Sequence, residues 1–300
     1  MPQKRSANRI NTLKTPTVDK LTGEGGLRME LKQIVGRIAE SIPMIDSTTQ
    51  IQNHNRRNKR PYIKGVPTLW EPQFVKELVG WWRKNHGDEL SDINDEFPYP
   101  TGTTARGRGE TCDVVLTGED TEVIWGNYEW AVEIKYLRLV GNNGNNNDYV
   151  MQKAISPYLK DRSLVHDIEK IKGASFAKRR AVVFYGFEFD SDSVQHAEEV
   201  CIKIRESMGE SDFYIEQPDE LDLFYSKDMD PIPRNLGRVI RSVDVGGGTY
   251  SLEPMTEIID SFLRIKGLSA GGPEVQIFDG LQRHPCGRFG RVVGWEIASE

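Results

Sequence analysis

Hydrophobic positions fall into a few separated runs along the chain. Leu27, Leu31, Ile34, Val35, Ile38 and Ile42 recur at helical spacing, which predicts an amphipathic helix ending near Pro43. After a loop over 44–68, a second helix is expected beyond Pro72, with Phe74, Val75, Leu78, Val79 and Trp82 as its apolar stripe and Gly87 at its end. The stretch 88–109 carries Pro98, Pro100, Gly102, Gly107 and Gly109 and reads as a long connection. The centre then turns strand-like at 111–117, 122–126 and 129–139. A helix is expected over 161–172 with Leu164, Val165, Ile168 and Ile171 inward, followed by a buried strand at 180–187 and a helix at 193–208. A helix between two strands of one sheet is the arrangement of α/β proteins. Beyond 216 the pattern predicts a helix at 254–266 and a terminal hairpin from Glu274–Phe278 and Arg291–Ile297.

Composition narrows the class. Charged residues make up 28% and hydrophobic ones 37%, ordinary for a soluble globular protein. No apolar stretch has the length of a membrane span, and the polar N-terminus lacks the apolar core of a secretory signal. Cys112, Cys201 and Cys286 form no metal-ligand spacing, so a reduced, cytoplasmic protein without a disulfide framework or zinc site is expected. The five histidines form no catalytic grouping, and the glycines after Asp244 lack the strand and helix of a phosphate loop.

Charge is uneven. Residues 1–70 hold 13 Lys and Arg against 5 Asp and Glu, and residues 71–300 hold 26 against 40, together the net −6 of the chain. A basic arm on an acidic body points to a polyanionic partner, with Arg56, Arg57, Lys59 and Arg60 as its densest cluster.

The chemistry-bearing residues lie on the two central strands. Asp113 opens the run Cys112-Asp113-Val114-Val115-Leu116, and Glu133 and Lys135 lie in Trp130-Ala131-Val132-Glu133-Ile134-Lys135. With period two, burying Val132 and Ile134 sets Glu133 and Lys135 side by side on the opposite face. Mg²⁺, with Mn²⁺ as an alternative, takes hard oxygen ligands and keeps several waters. Asp113, Glu133 and the backbone carbonyl of Ile134 supply such oxygens. Lys135 can orient a water or offset charge on the phosphate in the transition state. Arg138, further along the strand, can reach a phosphate, and the Asn-rich stretch 141–148 can offer amides to base edges. Arg162 and Lys170 can line a cleft, although an Asp167–Lys170 ion pair is the plainer account.

An Asp, about twenty residues, then Glu-x-Lys on a strand after a helical lead-in resembles the PD-(D/E)XK nuclease superfamily over residues 71–210. Cys112 stands where the name-giving motif has Pro. The resemblance implies an α/β fold with a restriction-endonuclease-like core, that is, a mixed central sheet flanked by helices. It implies metal binding by Asp113 and Glu133, water assistance by Lys135, and an upstream helical Glu. Glu77 is the choice for that Glu, with Glu71 and Glu40 the other candidates. The chain then divides into a disordered basic tail (1–26), a helix and basic loop (27–70), the nuclease-like core (71–215) and a C-terminal α+β extension ending in a hairpin (216–300).

The leading expectation is therefore a Mg²⁺-dependent endonuclease hydrolysing DNA, of restriction or defence type, with a homodimer implied by two-strand cutting and no membrane partner. The residues do not distinguish DNA from RNA. The alternatives are a non-catalytic nucleic-acid-binding protein that keeps the fold, and an α/β enzyme of another kind.

Overall fold

The computed structural model describes residues 28–49, 65–103, 109–119, 126–138, 154, 162–188, 251–283 and 288–298. Its elements are α1 (Leu31–Thr48), α2 (Glu71–Asn85), β1 (Leu90–Thr103), β2 (Gly109–Gly118), β3 (Tyr128–Leu137), α3 (Leu164–Lys172), β4 (Ala177–Glu188), α4 (Glu253–Ile265), β5 (Glu274–Phe278) and β6 (Phe289–Glu296). The expectations over 122–126, 141–148 and 193–208, with the disordered tail and the basic cluster at 56–60, lie outside the described residues.

Among the described residues, six strands form one mixed sheet in the order β1-β2-β3-β4-β6-β5. All neighbours run antiparallel except β3 and β4, whose parallel pairing needs a crossover, and α3 lies within it. The molecule is thus of the α/β class. Alternation along the strands feeds two cores. Trp130, Val132, Ile134, Val183 and Tyr185 pack with α1 and α2, while Ala131, Val182, Phe184 and Trp295 pack with α3 and α4. At roughly 1.5–3 kcal/mol for each large apolar side chain fully buried, these two layers are the main stabilising term.

Two elements differ from the sequence pattern, and the C-terminal strand pair gains a neighbour. The helix expected to stop near Pro43 continues to Thr48. Burial of Ile42 and Ile45 offsets the roughly 3 kcal/mol that an interior proline costs. Asp46, also buried, accepts the backbone N–H groups of Val66, Gln282 and Arg283 and ties the helix end to two loops. Within the stretch read as a connection over 88–109, Leu90–Thr103 forms β1. Pro98 and Pro100 cannot donate to a ladder, and β1 tolerates them because it stands at the edge of the described sheet. The two C-terminal strands pair antiparallel as expected, and β6 also pairs with β4, so both belong to the central sheet.

Candidate active site

The site lies where β2 and β3 part. Their ladder runs through Leu116/Trp130, Val115/Ala131 and Val114/Val132 and ends there. Alternation along β2 breaks at the same place. Val114 and Leu116 enter the α1/α2 core, whereas Val115 and also Cys112 enter the other. On the neighbouring strand, Glu96 adopts a left-handed φ of 51°. Between these reversals the Asp113 carboxylate turns toward β3 and accepts the Ile134 N–H at 2.7 Å through Oδ2. The next N–H on that edge, Tyr136, is taken by Glu71 Oε2 at 2.8 Å. Two carboxylates thus replace the missing strand partner along the end of β3. An extended residue directs its N–H and C=O to the same side, so the Ile134 carbonyl faces this gap as well.

Glu133 and Lys135 share a face of β3, as their spacing predicts, but they do not lie at a solvated surface. α3 covers them, leaving Glu133 1% and Lys135 6% exposed. Ionised groups so placed need partners, because stripping water from a charge costs several kcal/mol, on the order given for buried ion pairs. Lys135 Nζ lies 3.2 Å from Glu71 Oε1 and 2.8 Å from Asp167 Oδ2. The second approach is close in distance but lacks an aligned hydrogen bond. Lys170 Nζ sits 3.1 Å from Glu133 Oε1 and 3.3 Å from Asp167 Oδ1. Tyr99, on β1, donates its hydroxyl to Glu133 Oε1 at 2.7 Å.

The electrostatics follow from burial. Loss of water pushes the Asp113 carboxyl up to about 7, with the Glu71 charge adding to the rise and the Ile134 N–H opposing it. Burial and the Asp113 charge likewise raise Glu133 well above the ordinary carboxylate range, against the pull of Lys170. Burial alone would lower both lysines. Glu71 and Asp167 outweigh it at Lys135, and Glu133 and Asp167 at Lys170, so both ammoniums are held above their usual value. Cys112 stays a thiol, raised first by burial and then by Glu133 and Asp113.

Four carboxylates (Glu71, Asp113, Glu133, Asp167) and two ammoniums therefore make one network. With every group ionised its sum is −2, which one divalent cation would cancel. Among the described residues no three Asp, Glu, His or Cys groups form a ready metal cage. The donors that fit a hard cation are two carboxylates and a carbonyl, which meets the modest demand of Mg²⁺.

The structure brings Asp113, Glu133, Ile134 and Lys135 together and leaves other sequence candidates apart. Glu77 is exposed on α2, away from the network, and Glu40 pairs with Arg37 and His86. Glu71, at the first turn of α2, is the helical Glu that reaches the site. The Arg138 guanidinium donates to the Pro67 carbonyl at 2.9 Å and lies 4.9 Å from the centre of the Tyr136 ring. Arg56, Arg57, Lys59 and Arg60 lie outside the described residues. Tyr99 is an addition, while the Asp167–Lys170 ion pair expected from the sequence is present and is joined to Glu133 and Lys135. Asp167 had a legible signal: with Leu164, Ile168 and Ile171 it completes the buried stripe of α3, an acid where an apolar residue belongs.

No protein-family model matches the chain, and neither a curated protein nor a solved structure matches it.

Proposed function

We propose that this chain is a metal-dependent nuclease of the PD-(D/E)XK superfamily with the restriction-endonuclease-like fold, hydrolysing phosphodiester bonds in DNA. One observation carries the reading. Asp113, Glu133 and Lys135 meet at the end of the β2–β3 ladder, with a helical glutamate, Glu71, reaching into the same gap. The succession of α2, three antiparallel strands, α3 and a parallel strand supports the fold assignment, since it is the helix-and-strand context that the motif resemblance implies.

Asp113, Glu133 and the Ile134 carbonyl would hold Mg²⁺ or Mn²⁺, which supplies polarisation of the scissile phosphate and a water nucleophile at neutral pH. Lys135 is charged at any physiological pH, so its role is donor and point charge, never proton acceptor. It orients the attacking water or offsets charge gathering on the phosphate. Glu71 and Asp167 both lie within ion-pair distance of that ammonium.

A second reading, a nucleic-acid-binding protein without catalysis, draws support from the self-neutralising pairs: Lys135 and Lys170 already engage three of the four carboxylates. Plasmid DNA incubated with Mg²⁺, Mn²⁺ or EDTA separates the two. Cleavage that requires the cation, and that falls about 10²–10³-fold in Lys135→Ala and Glu133→Gln variants of unchanged fold, supports the nuclease. Salt-sensitive binding with no cation-dependent cutting establishes the alternative.

A further inference from the structure

Among the described residues, the partners of the Glu133 carboxylate meet one of its two oxygens. Oε1 accepts the Tyr99 hydroxyl at 2.7 Å and faces Lys170 Nζ at 3.1 Å. Tyr99 is itself held in place. Its ring meets Phe176 edge-on at 5.4 Å between centres, and Lys170 Nζ lies 5.7 Å from the ring centre. It sits between Pro98 and Pro100 where the regular β1–β2 pairing breaks off after Pro98/Thr111. Prolines preset an extended chain with no N–H to pair, so this edge segment is free of the ladder yet conformationally narrow. A tyrosine on such a stretch can place a hydroxyl reproducibly.

We infer that Tyr99 is a positioning residue for metal binding: its hydroxyl pins Oε1 of Glu133 so that Oε2 is the oxygen presented to the cation. The inference rests on the nuclease reading of the site. Carboxylate ligands are commonly oriented by a further donor, and removing that donor costs about 10- to 100-fold in metal affinity. Tyr99 suits this part better than Lys170 does. Its hydroxyl is neutral and orients the carboxylate without competing with a cation for its charge.

Tyr99→Phe removes one oxygen and leaves the ring packing in place. The test is the melting temperature of the full chain titrated with Mn²⁺, because a ligand that binds only the folded state stabilises it to a degree set by its affinity. The wild type is expected to show a saturable upward shift. In Tyr99→Phe the half-saturating Mn²⁺ is expected to rise about tenfold or more, with the melt in EDTA confirming that the variant folds. A wild-type shift with an unchanged midpoint in Tyr99→Phe overturns this inference and leaves the nuclease reading standing. Absence of any Mn²⁺ shift in the wild type overturns both. Should Tyr99→Phe melt too low for the titration, Mn²⁺ binding read at 4 °C from the electron paramagnetic resonance signal of the free ion replaces the melt: a midpoint equal to wild type overturns the inference, and a raised one supports it.

Discussion

At the scale of single residues, the site is a set of charges that burial would forbid were they not tied to one another. Asp113 shows the consequence most directly. Its carboxyl is raised from the ordinary 3.8 to about 7, so the folded protein holds that proton more tightly than the unfolded chain does. The stability this gives is fully present below pH 4 and is lost as pH rises toward 7, where the buried carboxyl must ionise. Asp113→Asn keeps an oxygen for the Ile134 N–H and removes the ionisation. In EDTA at pH 8 the variant should be more stable than the wild type by on the order of 2 kcal/mol, a discounted share of the roughly 1.4 kcal/mol per tenfold change in proton affinity. At pH 4 the two should unfold alike. Urea titrations at both pH values check this, and equal stability at pH 8 would mean that Asp113 ionises without cost. A divalent cation should invert the pattern, because binding displaces the proton and stabilises the wild type alone.

At the scale of elements, close backbone approach sets limits that side-chain patterning does not reveal. Gly290 on β6 lies opposite Phe187 on β4, and a Cβ there would run into the Gly186 carbonyl oxygen and the Phe278 ring. A backbone oxygen cannot swing aside. Gly290→Ala should therefore cost about 2–4 kcal/mol, the upper range for overpacking a core. Gly36, on α1, has open space where its Cβ would be, so Gly36→Ala should gain about 0.5–1 kcal/mol from helix propensity. Chemical denaturation of the pair checks both, and equal effects would mean that the crowding at Gly290 carries no cost. The same contrast explains what could be read in advance. Helical and strand periodicity located α1 to α4, β2 to β6 and the shared face of Glu133 and Lys135, because burial imposes those periods. It could not locate β1, whose prolines mimic a loop until an edge position excuses them, nor choose Glu71 over Glu77. That choice depends on where β3 loses its strand partner, a tertiary fact. Tyr99 was hidden for the same reason as β1.

At the scale of the whole molecule, charge separates what holds the site from what would bring it a substrate. The chain from residue 71 onward is acidic, with 26 basic against 40 acidic residues, and the network itself is negative if fully ionised. Such a body repels a polyanion at long range, so on the proposed reading approach would be driven by the basic residues that precede it. Arg138 is a poor substitute while its guanidinium is held at the Pro67 carbonyl. On the proposed nuclease reading, phosphate binding would fall to Arg56, Arg57, Lys59 and Arg60. Replacing all four with Ala should weaken duplex binding in EDTA. It should also flatten the dependence of log Kd on log salt by up to about 0.9 for each phosphate no longer neutralised, or roughly 3–4 in all. A melt of the variant beside the wild type separates lost charge from lost folding. Fluorescence anisotropy with a labelled duplex across a salt series measures the slope. An unchanged slope would move phosphate binding onto the described surface, with Arg138 the first side chain to replace.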